Sequence, residues 1–229
     1  MSEIEKTAGG WRARKARQTR ERIAEVALRL FLTHGFDETT LDAIAEAAAI
    51  SRRSFFHYYG SKEAILDAID EGIHEAFRGS LVARPREQKP LEAAHTALRE
   101  VIERYSGDEA VAIDRLMQST DALRARKQAN YARQEAALFT ILCEKWPAPK
   151  RQAGLRLISM MAIGVLRIAA ERWRESAYKS PLIQELERAF HQLLSEVNHV
   201  FVARRYSAEA SIRNDADGPP GASDRDEHW

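Results

Sequence analysis

The segment of residues 39–63, TTLDAIAEAAAISRRSFFHYYGSKE, constrains the fold more than any other part of the chain. It has the pattern of two short helices joined by a tight turn. Thr39 or Thr40 is placed to cap the first helix and Ser51 the second, because hydroxyl side chains accept hydrogen bonds from free N–H groups at helix starts. This layout is that of a helix-turn-helix, in which the start of the second helix enters the major groove of DNA.

The rest of the chain also has helical periodicity, with apolar residues three and four apart and no alternating strand pattern of useful length. We therefore predict an all-α fold, with an N-terminal three-helix DNA-binding domain and a C-terminal helical domain for ligand binding and dimerisation. A loop at 79–90 is expected to separate them. The predicted units are a basic N-terminal arm (1–17), the helix-turn-helix domain (18–78), the second domain (79–206) and a disordered acidic tail (207–229).

Composition argues against several classes of protein. Cys143 is the only cysteine, which rules out an intrachain disulfide and suits a reducing cytoplasm. The N-terminus is too charged for a secretory signal, and we find no run of about eighteen apolar residues. We therefore expect a cytoplasmic protein that does not span a membrane.

A basic run lies just upstream of the helix-turn-helix. Residues 11–22, WRARKARQTRER, contain six basic residues and one acid. Such a run neutralises backbone phosphates and gives salt-dependent, sequence-independent affinity for DNA. The alternative is a basic face that is simply solvated. The position of the run favours the phosphate role.

The stretch LISMMAIGVLRIAA at 157–170 is apolar on nearly every side, with only Ser159 and Arg167 polar. It is too short to span a bilayer, and a helix that is apolar all round has to be buried on several sides. We expect its own chain to cover one side and a second copy of the chain to cover another, with the helix predicted at 181–204 completing the interface. A two-fold dimer also suits DNA, since two recognition helices then meet successive major grooves about 34 Å apart.

Residues 18–78 resemble the DNA-binding domain of the TetR family of bacterial transcriptional regulators. The matching positions are Gly35-Phe36, Thr39-Thr40, Ile44-Ala45, Ile50-Ser51-Arg52, Ser54-Phe55, Tyr58-Tyr59 and Ser61-Lys62-Glu63. The resemblance implies a homodimeric repressor that leaves a palindromic operator in double-stranded DNA when a small amphipathic molecule binds the second domain.

The resemblance also implies roles for individual residues. Thr40 and Lys62 would hold phosphates, Arg52, Arg53 and Ser54 would face base edges, and His57 and Tyr58 would flank the backbone. Arginine suits base reading because it donates two hydrogen bonds to guanine O6 and N7. The candidate DNA-binding residues are Thr40, Ser51, Arg52, Arg53, Ser54, Phe56, His57, Tyr58 and Lys62.

Three positions depart from the family pattern. Ala49 stands in the turn where the family usually has glycine, so this turn is expected to be looser or strained. Phe56 stands where a tyrosine hydroxyl usually reaches a phosphate, so that hydrogen bond is lost. Arg53 stands where glycine is common and would restore phosphate affinity. Two arginines at the positive end of a helix dipole are unfavourable by themselves, which favours a polyanionic partner over plain solvation.

The second domain resembles the subgroup of that family described as having acyl-CoA-like ligand-binding regions, on residues 116–138 and 164–173. This resemblance implies an acyl-CoA or a similar amphipathic or aromatic effector. The apolar candidates either line an adaptable cavity or belong to the core. Arg167 either binds a ligand carboxylate or phosphate, or pairs with Glu171 or a neighbouring helix. The candidate ligand residues are Met117, Phe139, Met160, Met161, Arg167 and Trp173.

An enzyme is the weakest alternative. Three Glu-x-x-His pairs have the spacing of di-iron ligands, but no inward-facing pair of bridging glutamates accompanies them. Nucleotide-binding and hydrolase motifs are missing as well, and Cys143 has no suitable base nearby. We therefore expect no enzymatic activity, no metal and no cofactor. The pairs are Glu71/His74, Glu92/His95 and Glu196/His199.

A further alternative is a DNA-binding dimer with an architectural role, or one controlled by a partner protein and not by a small molecule. An enclosed cavity in the second domain would favour the ligand-responsive reading, and a solid core would favour this alternative.

Overall fold

The computed structural model describes the backbone of residues 3–216 and the side chains of Trp11 and residues 14–199. Within this part of the chain all regular secondary structure is helical, which confirms the predicted all-α fold. A short 3-10 turn, Pro149–Arg151, precedes the eighth helix. The helices are α1 (Glu3–His34), α2 (Leu41–Ala47), α3 (Arg52–Tyr58), α4 (Lys62–Ala83), α5 (Pro90–Arg104), α6 (Asp108–Gln118), α7 (Asp121–Lys145), α8 (Gln152–Glu175) and α9 (Leu182–Ala216).

The short helices of the N-terminal domain begin at hydroxyl caps. Thr40, Ser51 and Ser61 each accept a hydrogen bond from the backbone N–H three residues further on. Thr39, the other candidate cap of α2, is buried, and its hydroxyl donates to the Gly35 carbonyl oxygen at 2.7 Å. Local hydrogen bonds therefore fix where α2, α3 and α4 start.

Two hydrophobic cores organise the chain. The first core lies among α1 to α4 and the second among α4, α5, α7, α8 and α9. Fully buried residues of the first core are Ile23, Phe31, Ile44, Phe55 and Ile65. Fully buried residues of the second core are Leu81, Leu138, Leu142, Leu155 and Leu186.

The boundary between the domains differs from the prediction. Helix α4 continues to Ala83, so the loop expected at 79–90 begins only at Arg84. The first core also takes in Leu116 of α6 and Leu123 of α7. The predicted limits of 18–78 and 79–206 therefore miss two features: α4 serves both cores, and α6 and α7 pack on the DNA-binding domain.

Both ends of the described chain are more helical than predicted. Helix α1 begins at Glu3, so residues 3–17 continue the first helix and do not form a separate arm. Helix α9 extends to Ala216, so residues 207–216, predicted to be disordered, are helical. The remainder of the predicted acidic tail, 217–229, lies outside the described residues.

The apolar region around α8 meets the length and composition expected of a membrane span over Pro149–Glu175, which the 14-residue estimate from the sequence missed. Several of its side chains, however, are buried against the rest of the chain, among them Leu155, Ala162, Ile163 and Trp173. Burial of this kind is typical of a core helix, and a core helix can meet the same criteria of length and composition.

The turn between α2 and α3 is closed by Ala49 with φ at +52°. The N–H groups of Ala49 and Ile50 donate to the carbonyl oxygens of Glu46 and Ala45, both at 2.9 Å, and so satisfy the end of α2. A side chain at positive φ is strained, because Cβ crowds the backbone. The strain expected at Ala49 is therefore present.

We predict that Ala49→Gly raises the free energy of unfolding by about 0.5 kcal/mol, since relief of the left-handed strain exceeds the entropy that glycine adds to the unfolded chain. Ala47→Gly is the matched control, because Ala47 lies in α2. There glycine costs about 0.5–1 kcal/mol. Chemical denaturation measures both, and a loss of stability in Ala49→Gly would contradict the prediction.

Candidate DNA interface and ligand cavity

Helix α3 presents one face to solvent and one to the first core. Phe55 is fully buried, whereas Arg52, Arg53, Phe56 and His57 are exposed. The exposed positions are spaced one, three and four apart and therefore share one side of the helix. The structure thus places two of the three predicted base-reading residues, Arg52 and Arg53, on an accessible surface, whereas Ser54 is only partly exposed.

Arg52 is held by an acid on the neighbouring helix. Its Nη1 donates to both carboxylate oxygens of Asp42 in α2, at 3.0 and 2.8 Å. Both side chains are well exposed, and such surface pairs contribute only about 0–1 kcal/mol. The pair therefore orients Arg52 but holds it only weakly. A guanine edge or a phosphate can replace Asp42 as its partner.

The other outward residues of α3 have different surroundings. Phe56 is 47% exposed and packs edge-on against Phe55, with 5.7 Å between ring centroids. His57 stacks edge-on with the half-buried Tyr58 at 5.2 Å. The exposed ring also lies beside the Arg52 guanidinium, which is 5.9 Å from the ring centroid. It provides a face for contact with sugar or with a thymine methyl group.

The hydroxyl groups that cap the helix starts can each still donate a hydrogen bond. Thr40 Oγ1 accepts from the Ala43 N–H at 3.1 Å, which leaves its own O–H free to donate. Ser51 Oγ accepts from the Ser54 N–H at 3.0 Å and lies 2.9 Å from Ser54 Oγ. A capping hydroxyl can therefore also donate to a phosphate without breaking the helix start.

Lys62 has a structural role in this conformation. Its Nζ lies 2.6, 3.2 and 3.4 Å from the carbonyl oxygens of Phe36, Asp37 and Thr39. An ammonium group has three donors, so these contacts fasten the start of α4 to the α1–α2 loop. The phosphate contact that the family resemblance implies for Lys62 stays a prediction. It requires the Lys62 ammonium group to give up one of these carbonyl contacts.

The basic run forms an exposed stretch of α1. Arg20 lies over the ring of Tyr59 at 4.8 Å, and the Tyr59 hydroxyl donates to the Arg20 carbonyl oxygen at 3.0 Å. Arg17 pairs with Glu21 at 3.6 Å on the exposed helix surface. The α3 end is thereby tied to the basic stretch of α1. The exposed basic residues here are Arg14, Lys15, Arg17, Arg20 and Arg22.

Two spaces that share lining residues lie along helix α4, and the outer one lies between the two domains. An open cleft of about 910 Å³, here called the outer cleft, is bordered by α1, α4, α6, α7 and α8. An apolar space of about 190 Å³, here called the inner cavity, continues from it between α4, α5, α7 and α8. The residues that line both spaces, and so mark the passage between them, are Ile73, Tyr105, Gln134, Leu166 and Leu182.

The floor of the outer cleft contains a buried charge cluster. Asp114 of α6 accepts hydrogen bonds from Lys127 of α7, from Arg174 at 3.3 Å and from the Tyr178 hydroxyl at 3.0 Å. Burial lowers the pKa of Lys127, and the neighbouring Asp114 carboxylate opposes that change. Because Asp114 has several donors, the cluster joins α6, α7 and the end of α8 without leaving a buried charge unpaired.

The outer cleft carries more acids than bases. Its lining includes four basic and six acidic residues. The basic residues are Arg17, Arg20, Arg104 and Lys127. The acidic residues are Glu21, Glu25, Asp70, Glu71, Glu109 and Asp114.

Two of the six candidate ligand residues line these spaces: Met117 and Trp173 border the outer cleft. Met160 is half exposed, and Met161 is only partly buried. Phe139 packs on the second core, with the Arg156 guanidinium 5.4 Å from its ring centroid. The structure therefore does not bring Phe139, Met160 or Met161 to the cavity.

Arg167 is exposed, so the premise that it is a buried charge in need of a partner is wrong. Its guanidinium lies over the ring of Tyr131, 5.5 Å from the centroid. Tyr131 lies on α7, so this contact corresponds to the neighbouring-helix alternative and not to the pairing with Glu171. Arg167 also lies outside the lining of both spaces.

Sequence reasoning missed the polar lining of the inner cavity, His74 and Gln134. His74 was noted only as half of a Glu-x-x-His pair, and Gln134 carried no signal. Among the described residues no group of three or more His, Cys, Asp and Glu side chains is arranged to hold a metal ion.

Two sequence families match the chain. The family described as "Bacterial regulatory proteins, tetR family" matches residues 23–69, and the one described as "MftR C-terminal domain" matches residues 88–198. An exposed recognition helix, a basic first helix and an all-helical second domain define a two-domain helix-turn-helix protein. The chain belongs to the TetR family.

Named relatives support this assignment. The HTH-type transcriptional regulator TcmR of Streptomyces glaucescens is 34% identical over 144 residues, covering 59% of this chain and 64% of TcmR. The HTH-type transcriptional regulatory protein RaaS of Mycobacterium tuberculosis is 41% identical over 69 residues, covering 30% of this chain and 32% of RaaS. The match thus spans less than two thirds of either relative. Both names describe regulators, in agreement with the expectation of a protein that is not an enzyme.

Solved structures show the same fold. SmeT, the repressor of the Stenotrophomonas maltophilia multidrug efflux pump SmeDEF, has a TM-score of 0.57 at 18% identity, over 77% of this chain and 89% of SmeT. FadR from Bacillus subtilis in complex with stearoyl-CoA has a TM-score of 0.55 at 20% identity, over 76% of this chain and 97% of FadR. At these identities the likeness concerns the fold alone.

We predict that Asp42→Asn strengthens binding to duplex DNA about threefold, because it frees Arg52 from a pair worth about 0.2–1 kcal/mol. Glu46→Gln is the matched control, since Glu46 lies exposed on the same helix and its loss removes the same charge without releasing Arg52. Fluorescence anisotropy at two salt concentrations measures both variants. Equal gains in the two variants would contradict a specific role for the Asp42–Arg52 pair.

Proposed function

We propose that the protein is a cytoplasmic, ligand-responsive transcriptional repressor that binds a palindromic DNA operator as a homodimer and leaves it when a small amphipathic molecule fills the second domain. The observation that carries the proposal is the joint presence of an exposed recognition helix and a cavity that share helix α4. The family and the names of the relatives support a regulatory role.

Helix α4 supplies the physical connection between ligand and DNA. Its first turns contribute Ile65 and Leu66 to the first core, and Lys62 fastens it to the loop before α2. Its later turns place Ile73 and His74 in the wall of the inner cavity. A ligand that displaces these later turns therefore changes the position of the recognition helix, because close-packed helices move as units.

A cavity beside α4 favours the ligand-responsive reading over a regulator controlled only by a protein partner. A dimer without a small-molecule effector has no use for an apolar space of about 190 Å³ opening from a wide cleft. Unfilled apolar space also destabilises a protein, because its lining loses dispersion contacts. Its presence beside the helix that leads to the DNA-binding domain supports a ligand.

The charge of the outer cleft bears on the identity of the effector. An acyl-CoA brings several phosphate charges, and the FadR structure from Bacillus subtilis holds stearoyl-CoA. In this chain, however, six acidic and four basic residues line the cleft. Two of the acids, Asp70 and Asp114, are paired with arginines outside the lining, so the cleft offers no excess of positive charge to a polyanion. We therefore favour an aromatic or weakly charged effector over an acyl-CoA.

Selection of bound sequences from random duplex DNA tests the proposal. A palindromic consensus with half-sites about one helical turn apart is expected for a two-fold reader. The selected duplex then serves to screen small molecules for release of the protein. Selection of no consensus, or a consensus that no cavity-binding compound releases, would contradict the operator or the ligand part respectively.

We predict that Arg53→Gly weakens operator binding and lowers the slope of log K against log salt by about 0.9, the value for one lost phosphate contact. Arg53→Lys is the control, since it keeps the charge and so the slope. The titrations are made on the selected operator at several salt concentrations. An unchanged slope in Arg53→Gly would mean that Arg53 faces only solvent.

The proposed dimer interface is the outer face of α8 and α9. Leu157 and Met160 of α8 are 58% and 49% exposed, and Leu194 and Val197 of α9 are also exposed. Residues 157, 160, 164 and 168 fall on one side of α8 because they are three to four apart. Not all of the helix predicted at 181–204 is available for an interface, because Leu186 and Phe190 are buried within the chain.

We predict that Leu157→Glu shifts the protein from twice the 26.0 kDa chain mass toward the single-chain mass, because it puts a charge on the apolar face. Val82→Glu is the matched control, since Val82 of α4 is 52% exposed outside that face. Sedimentation equilibrium measures both. A Leu157→Glu variant that stays dimeric would place the interface elsewhere.

A further inference from the structure

Two side chains that line the inner cavity each carry a buried polar atom. His74 Nε2 of α4 and Gln134 Oε1 of α7 are inaccessible to solvent, and neither makes a hydrogen bond within the described part of the chain. Both residues line the inner cavity. The two residues come from different helices and share the lining of this one cavity.

The rest of the lining offers these atoms little. Apart from His74 and Gln134, the lining side chains are hydrocarbon, except for the Tyr105 ring at the entrance. A buried polar atom without a partner is costly, and in folded proteins such atoms are matched by protein, water or ligand. The matching group for His74 and Gln134 therefore has to come from whatever occupies the cavity.

Charge narrows the class of occupant. Burial lowers the pKa of His74, against the opposing effect of the Asp70 carboxylate, so the imidazole is neutral at pH 7. Neither lysine nor arginine is among the side chains that line the inner cavity. A carboxylate or phosphate placed there would be a buried charge without a counter-charge. The occupant is therefore neutral where it meets these residues.

The polar group that fits is one that both donates and accepts. A neutral imidazole has one donor and one acceptor nitrogen, and a glutamine amide presents an oxygen acceptor and an NH₂ donor. A hydroxyl group satisfies one residue by donating and the other by accepting. With Gln134 Oε1 as the acceptor, this requires the His74 tautomer that carries its proton on Nε2; with the amide turned, it requires the tautomer in which Nε2 accepts.

The volume of the inner cavity limits the size of the ligand group that it can hold. An apolar protein cavity of about 150 Å³ holds one benzene molecule. The inner cavity, at about 190 Å³, therefore accommodates a compact ring system. The outer cleft leaves room for the remainder of a larger ligand.

We propose that the inner cavity binds a hydroxylated aromatic ring, with the ring against the apolar lining and the hydroxyl hydrogen-bonded to His74 and Gln134. The inference rests on the proposed function, since it specifies the ligand class of that same site. It distinguishes the effector from a long acyl chain, which has no hydrogen-bonding group to offer these two residues.

The test compares 2-naphthol with naphthalene, two probes that differ by one hydroxyl group. Isothermal calorimetry on the full chain is expected to give about tenfold tighter binding of 2-naphthol, the effect of one well-placed hydrogen bond. Gln134→Leu and His74→Phe are each expected to reduce this preference severalfold while still binding naphthalene. The matched control is Gln128→Leu, because Gln128 is exposed on the same helix and should leave the preference intact.

Folding of the variants is checked by thermal denaturation. Gln134→Leu replaces an unpartnered polar atom with an apolar group, so the variant is expected to melt at or above the wild-type temperature. His74→Phe provides a second, independent variant on the other side of the cavity. A preference that falls in both but not in Gln128→Leu supports the assignment.

Three outcomes overturn the inference: equal affinities of the two probes for the wild type, an undiminished preference in both cavity variants, or no binding of 2-naphthol. The proposed function is judged separately, by release of the selected operator. If 2-naphthol binds with the expected preference but no ligand releases DNA, the repressor proposal fails and the cavity assignment stands. If palmitoyl-CoA releases DNA and 2-naphthol does not bind, the repressor proposal stands and the cavity assignment fails.

Discussion

The structure depends most on the sharing of helix α4 between two hydrophobic cores. Its N-terminal turns bury Ile65 and Leu66 among the DNA-binding helices, and its C-terminal turns bury Leu81 in the second core. Helix α4 is continuous from Lys62 to Ala83. It contains no proline, although Gly79-Ser80 is a pair of the kind at which helices can kink. Neither core can therefore shift relative to the other without repacking α4, so the wall of the cavity and the start of the recognition helix are coupled by geometry alone.

The same constraint explains the charges at the DNA-binding surface. Arg52 is engaged by Asp42 and Lys62 by three backbone carbonyls, so in this conformation two of the candidate cations stabilise the arrangement of α2, α3 and α4. If Arg52 and Lys62 bind DNA as proposed, they exchange these protein contacts for base and phosphate contacts, and only the difference contributes to affinity. Arg53, on the exposed face of the same helix, is better placed to add to affinity directly.

The sequence predicts what local rules determine and misses what depends on distant partners. The caps at Thr40 and Ser51 and the strained turn at Ala49 follow from residue types within a few positions, and the structure has all three. The Asp42–Arg52 pair joins two helices and has no local signature. The His74–Gln134 lining joins residues sixty positions apart, so periodicity in the sequence can show neither that they share a cavity nor that they lack partners.

Helix α8 is apolar on nearly every side, and its different sides have different surroundings in the structure. One side, with Ala162, Ala169 and Ala170, is buried in the chain, and Ile163 and Leu166 reach the inner cavity. Another side, with Leu157 and Ile168, remains exposed. If the proposed ligand and second subunit also pack on α8, the three surfaces leave no side for charge, apart from positions such as Arg167 that lie between them. The proposed function thus explains the apolar sequence of α8 by three contacts, and a ligand in the inner cavity would touch the helix that carries the proposed dimer face.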